Sequence, residues 1–307
     1  KGRPVHLVVR DDQQDPEGAK QAVAELIEAK VEAIIGPMTS SMAMAVVPLV
    51  NAANTIMISP TVTTPELTGI DDHFVRVIGT TSDYAVLSAR YQAERLDHRR
   101  AVAIYDLNNR SYTESWFNAF QKAYASLGGK ILRVKTYQSS DESAFFDMVA
   151  NLLAPKPELV LIIANAVDAA LISQQVRKID PTIAITMSEW ASTERFIELA
   201  GTASENVYMA QFIDRNDTSQ KFIAFRKAFM DRFGQEPGFA GVAGYDAAQV
   251  VLEAMARRGP GQTLKSAIIE TGRFQCLQQQ IAIDRFGDAE RKTFVSVIRN
   301  GRYLTLE

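Results

Sequence analysis

Hydroxyl groups in two clusters are the residues best placed to do chemistry. Thr39-Ser40-Ser41 follows the turn Gly36-Pro37, and Thr61, Thr63 and Thr64 lie between Pro60 and Pro65. Around the first cluster, residues 31–54 open with a short run of branched apolar side chains, turn, and continue as an alanine-rich segment with apolar residues at helical spacing. That order is strand, turn, helix. Thr39 or Ser40 suits the helix cap, and the first-turn N–H groups beside them have no intrahelical partner. Either these hydroxyls only cap, which is the commoner use, or the helix start faces a cleft. In the second case its donors and dipole suit a carboxylate or a phosphate. The second cluster sits on a loop stiffened by prolines at both ends.

Other chemistry is sparse. His6, His73 and His98 are scattered without partners at zinc-ligand spacing. Asp11-Asp12 reads as turn chemistry after a strand rather than as a metal or acid/base pair. No G-x-S-x-G elbow, phosphate loop or G-x-G-x-x-G fingerprint occurs. The sequence therefore predicts neither catalytic residues nor a metal or other cofactor. The single Cys276 cannot form an internal disulfide and reads as a buried, inert thiol.

The elements that must position these groups fit a chain of 307 residues, 47% of them hydrophobic, long enough for about two domains with their own cores. Acidic and basic groups nearly balance, 36 against 33, and a net charge of −3 gives no reason to expect nucleic acid or an anionic membrane as partner. No apolar run reaches the roughly 20 residues of a membrane span, and no signal peptide opens the sequence.

Residues 5–10 read as a strand. Asp15-Pro16-Glu17 then starts a helix in good order, with a cap, a proline at the first helical position and an acid in the first turn. Strands follow at 55–59 and 74–77, which makes β-α-β-α-β and hence a parallel sheet covered by helices on both faces. A helix over 83–96 leads into a second run of the same kind. Its strands fall at 101–105, 131–137, 159–164, 182–187 and 207–211. Its helices fall at 113–127, after Ser140 or Asp141 as cap, at 167–178 and at 193–199, with a polar loop over 106–112. Helices at 219–233, 240–257 and 264–270 come next. The tail carries antiparallel signals at 278–284 and 293–299, and Asn300-Gly301 marks a hairpin.

Several stretches together resemble the periplasmic solute-binding proteins of the branched-chain amino acid (leucine/isoleucine/valine-binding) family, the type I periplasmic-binding fold. They are GRPVHLVVRDDQQDPEGA at 2–19, IIGPMTSS at 34–41, ISPTVTTPEL at 58–67 and GYDAAQVV at 244–251. Looser matches lie at 105–112, at Gly128-Gly129, at 233–237 and at 284–288. The resemblance implies two doubly wound α/β lobes with parallel sheets, a ligand cleft between them and three crossings, near Thr80, Phe212 and Thr293. Lobe 1 would be 1–80 plus 213–293, and lobe 2 would be 81–212 plus 294–307. Family members begin with a further strand and helix of lobe 1 that are missing here. That strand normally lies inside the sheet, where its loss leaves backbone groups unpaired, so residues preceding Lys1 are expected in the natural protein.

The resemblance also implies a site with two ends. Ser40 and Thr63, with Ser41 and Val62 beside them, would hold a ligand carboxylate through hydroxyls and backbone N–H groups. Glu189 would pair with an α-ammonium. Tyr112 would close over the ligand, and Asn165, Tyr84 and Trp190 would line the cleft, the last two being equally suited to packing within a lobe. An amino acid bridging both lobes favours the closed state, since it makes both sets of contacts only there. The function implied is a periplasmic or extracytoplasmic protein that captures an amino acid, branched-chain or otherwise hydrophobic, and delivers it to the membrane permease of an ABC importer. Two alternatives remain open: a sensor domain acting on its own transmembrane signalling module, and a binder of aromatic or other small carboxylates. An enzyme is a distant third.

Overall fold

The computed structural model describes residues 4–138 and 145–306, so the cap expected at Ser140 or Asp141 lies outside the described residues. The chain forms two compact units, Lys1–Thr80 with Ala240–Lys292 and Thr81–Phe239 with Thr293–Glu307. Residues 213–239 group with the second unit, whereas the division drawn from sequence places them in the first. The local reason is that Arg215 bonds Glu194 and the Ser192 carbonyl, and its backbone N–H bonds Thr305.

In the first unit, α1 (Pro16–Glu28) starts as its sequence dictates: Asp15 accepts the Gly18 N–H at 2.9 Å and Pro16 follows the cap. β1 (Ile34–Ile35), α2 (Ser40–Ala53), β2 (Met57–Ser59) and β3 (Phe74–Arg76) alternate, and the strands pair in parallel in the order β1-β2-β3. Strand alternation sends Met57 and Phe74 toward α1 and α2, where they meet Val23, Met42 and Val46. Ile56, Ile58, Val75 and Val77 go to a second core with α9 (Phe239–Arg257) and α10 (Leu264–Thr271). Both faces of the parallel sheet are therefore covered. β9 (Arg273–Gln275), β10 (Gln280–Ile283) and β11 (Ala289–Glu290) add an antiparallel sheet, and Cys276 is buried beside it.

The strand expected over residues 5–10 is not present. The segment pairs with no strand among the described residues, and Val5, Leu7 and Val9 are 73%, 83% and 71% exposed. Its side chains favour the extended state, but a strand exists only through hydrogen bonds to a neighbour. The turn after it is as read, with Asp11 and Asp12 each accepting the N–H two residues on, from Gln13 and Gln14.

In the second unit the seven-stranded sheet runs β13-β12-β8-β7-β6-β4-β5. β4 (Arg100–Asp106), β5 (Lys130–Tyr137), β6 (Leu159–Ile163), β7 (Ala184–Met187) and β8 (Val207–Gln211) pair in parallel. β12 (Phe294–Arg299) and β13 (Arg302–Thr305) complete it antiparallel, joined by the Asn300-Gly301 turn with φ of +52° and +67°. β6 is wholly buried, as its unbroken apolar run requires. The covering helices are α3 (Thr81–Arg90), α4 (Arg110–Ser126), α5 (Phe145–Leu153), α6 (Ala166–Ile179), α7 (Glu194–Ala200) and α8 (Gln220–Phe233). α4 begins earlier than its sequence suggests, so Tyr112 stands on a helix rather than in a loop. At its end Gly129 packs against Tyr124, where an added Cβ would lie 2.4 Å from the ring.

Candidate functional site

Each unit carries its polar groups at the carboxyl ends of its parallel strands, the end where open α/β sheets bind ligands. In the first unit these are the turn after β1 and the loop after β2. Gly36 has φ of +142°, a conformation open to glycine, and brings the chain into α2. Ser59 then ties the two segments together. Its Oγ donates to the Pro37 carbonyl at 2.8 Å and accepts the Val62 N–H at 3.0 Å, while Thr61 donates to the Met38 carbonyl at 2.5 Å.

The hydroxyls at the start of α2 do not cap it. Thr39 occupies the N-cap position but makes no side-chain cap bond, and Ser40 is the first helical residue. Ser40 is buried, and its Oγ accepts the Thr64 N–H across the loop at 3.3 Å. Thr63 is also buried, and its Oγ1 has no hydrogen-bond partner among the described residues. A buried hydroxyl without a partner is costly, and a bound acceptor would satisfy it. Ser41 lies half-buried in the first turn, and the Val62 N–H is engaged by Ser59. Behind the loop, buried Arg76 donates to the Thr64 carbonyl at 2.9 Å and to Thr68, and pairs with Asp288. The loop is thus held rigidly from its far side.

In the second unit Glu189 follows β7 in a short helical turn and is only 4% exposed. Tyr112 donates its hydroxyl to Glu189 Oε1 at 2.9 Å, and Trp116 donates its indole N–H to Oε2 at 3.0 Å. Among the described residues no cation is paired with it. Burial pushes the Glu189 carboxyl up to about 7, against the opposing pull of its hydrogen bonds. Burial likewise raises the Tyr112 phenol well above its ordinary value, with the neighbouring Glu189 adding to the effect. A carboxylate offers about four acceptor positions, so two donors leave it room for more.

The remaining expected residues fall into different places. Trp190 meets Tyr112 edge to face, with centroids 5.6 Å apart. Asn165 caps α6: its Oδ1 accepts the N–H groups of Val167 and Asp168, and its Nδ2 donates to Asp168 at 2.9 Å. Tyr84 is completely buried in α3. Tyr112, Glu189 and Trp190 are therefore brought together, and Asn165 caps its own helix. Trp116 was not anticipated from sequence. Because α4 starts at Arg110 rather than after Tyr112, Trp116, four positions on, shares the helix face of Tyr112.

The family description "Periplasmic binding protein" matches residues 1–296. The chain belongs to the periplasmic binding protein family. Among curated proteins it is similar to the Leu/Ile/Val-binding protein homolog 3 of Brucella melitensis, 22% identical over 74% of this chain and 62% of that protein. It is also similar to the Leu/Ile/Val-binding protein BraC3 of Rhizobium johnstonii, 22% identical over 64% and 53%. The leucine-, isoleucine-, valine-, threonine- and alanine-binding protein of Pseudomonas aeruginosa is 20% identical over 95% and 78%. The chain thus spans less than two thirds of the length of the first two relatives. Among solved structures, a leucine binding protein of Thermotoga maritima matches with a TM-score of 0.92 and 26% identity, over 100% of this chain and 88% of that one. An isoleucine complex from Streptococcus pneumoniae gives 0.89 and 21%, over 99% and 88%. A solute binding protein of Rhodopseudomonas palustris with benzoate gives 0.89 and 18%, over 99% and 85%. The fold is that of type I periplasmic binding proteins, whose members bind solutes and are not enzymes.

Proposed function

We propose that this protein is an extracytoplasmic solute-binding protein that captures a small L-amino acid, branched-chain or otherwise hydrophobic, and delivers it to the permease of an ABC importer. The observation that carries the reading is the buried carboxylate of Glu189, which has hydrogen-bond donors but, among the described residues, no paired cation. An unpaired charge in such a place is costly, and an ammonium group is the natural partner for it. Within the first unit, Ser40 and Thr63 offer hydroxyls beside a helix start suited to a carboxylate. A charge-assisted hydrogen bond contributes roughly 1.5 to 3 kcal/mol.

Calorimetric titration with L-amino acids, and then with aromatic and short aliphatic carboxylates, tests this. Micromolar or tighter binding of an amino acid, abolished in Glu189→Ala, supports the reading; unchanged affinity in that variant refutes it. A second reading has a specific basis, because the Rhodopseudomonas neighbour holds benzoate, which has no amine. Binding of carboxylates alone would leave the anion end in place, make Glu189 a bystander and favour that reading. A sensor acting on a transmembrane signalling module would use the same ligand binding. No helix among the described residues is long and apolar enough to cross a membrane.

A further inference from the structure

We propose that Trp116 is a positioning residue for the ammonium end: from within the core of the second unit its indole N–H holds one oxygen of Glu189 and keeps that carboxylate available, as an anion, to a cationic ligand. The inference rests on the proposed role of Glu189 and goes beyond it. Trp116 is fully buried and stacks on Phe120 at 5.7 Å, so the direction of its N–H is set by packing. Tyr112 lies one turn earlier on α4 and takes the other oxygen. The helix therefore grips both oxygens from one side and fixes the plane of the carboxylate.

The two donors are not equivalent. A phenol both donates and accepts, so Tyr112 can turn to meet a protonated Glu189 or a ligand. The indole only donates. It bonds a carboxylate oxygen but offers nothing to a carboxyl proton on that atom, and so discriminates between the two states of Glu189. Other charged groups on elements packed against this turn are already engaged. Asp168 at the start of α6 takes Tyr137 and Asn165, Arg215 beyond β8 pairs with Glu194, and Arg110 on α4 pairs with Glu114. Among the described residues the balance between acid and anion at Glu189 is thus set by burial on one side and, on the other, by its own backbone N–H, the Trp116 indole and the Tyr112 hydroxyl.

Trp116 and Trp190 are the only tryptophans of the chain, so two indole N–H resonances report on the site. In ligand-free protein, Glu189 is followed by NMR of carboxyl-labelled glutamate between pH 5 and 9, together with both indole signals. The Trp116 resonance is expected to move with the Glu189 midpoint. Trp116→Phe is expected to strengthen the carboxyl's hold on its proton roughly tenfold to a hundredfold. A Trp116 signal that stays still while Glu189 titrates, or a Trp116→Phe variant that only melts earlier with the midpoint unmoved, overturns the proposal and leaves the indole a core filler. The indole measurement needs no variant, so failure of Trp116→Phe to fold does not remove the test. Neither readout needs a ligand. If the indole tracks Glu189 while no amino acid binds, the positioning of the carboxylate stands and the amino-acid reading falls.

Discussion

Replacing Glu189 by Gln should make the ligand-free protein more stable at neutral pH while removing its affinity for an ammonium. In the folded state the carboxyl is raised from 4.5 to about 7 by burial. A raised acid contributes stability that is fully present below about pH 4.5 and is lost as pH rises to about 7. Above that, the buried anion costs about 3 kcal/mol, at 1.36 kcal/mol for each pH unit between the two values. Gln avoids this cost and fits the same partners. Its amide oxygen accepts the Trp116 N–H and its amide N–H donates to the Tyr112 oxygen, which turns from donor to acceptor, so both groups keep a bond to residue 189. Urea unfolding of both proteins without ligand is the assay. At pH 8 the variant should be the more stable by up to about 3 kcal/mol, and at pH 4.5 the two should nearly coincide. A variant equally or less stable at pH 8, or a gap independent of pH, would show that Glu189 is not a strained anion and refute the reasoning.

Removing the hydroxyls at the anion end, in Ser40→Ala or Thr63→Val, should each weaken ligand binding roughly tenfold to a hundredfold by calorimetry, with the circular dichroism spectrum unchanged. Asn165→Ala should cost about 1 kcal/mol in unfolding free energy through loss of the α6 cap, yet leave affinity unchanged. A large loss of affinity there would return Asn165 to the ligand site. In the first unit, Asp246 and Arg291 form an ion pair with both side chains fully buried, and Asp246 also accepts the Leu277 N–H at 2.8 Å. Asp246→Ala leaves the guanidinium uncompensated and should destabilise by about 3 to 5 kcal/mol in thermal or urea unfolding.

Much of the architecture could be read from local pattern. The Asp15-Pro16 helix start, the apolar β6 and the Asn-Gly hairpin each carry their instruction within a few residues. Residues 5–10 misled because β-propensity says nothing about whether a partner strand is alongside. The grouping of 213–239 with the second unit was not legible for a related reason, since the bonds from Arg215 to Glu194 and Thr305 span far in sequence. At the site, Ser40 and Thr63 stand out as hydroxyls near a helix start, but their use could not be read. Ser40 reaches across to Thr64 instead of capping, which depends on how two loops meet. Glu189 was identified by resemblance, whereas its partner Trp116 required knowing that α4 lies over the end of β7.

The affinity for leucine at pH 8 and pH 5 tests the central claim most directly. If an ammonium must meet ionised Glu189, protons compete with the ligand. With the carboxyl at about 7, binding should weaken about tenfold per pH unit on the acid side, reaching about a hundredfold at pH 5 relative to pH 8. Leucine affinity that is flat across this range, or absent while benzoate binds tightly, would contradict the account.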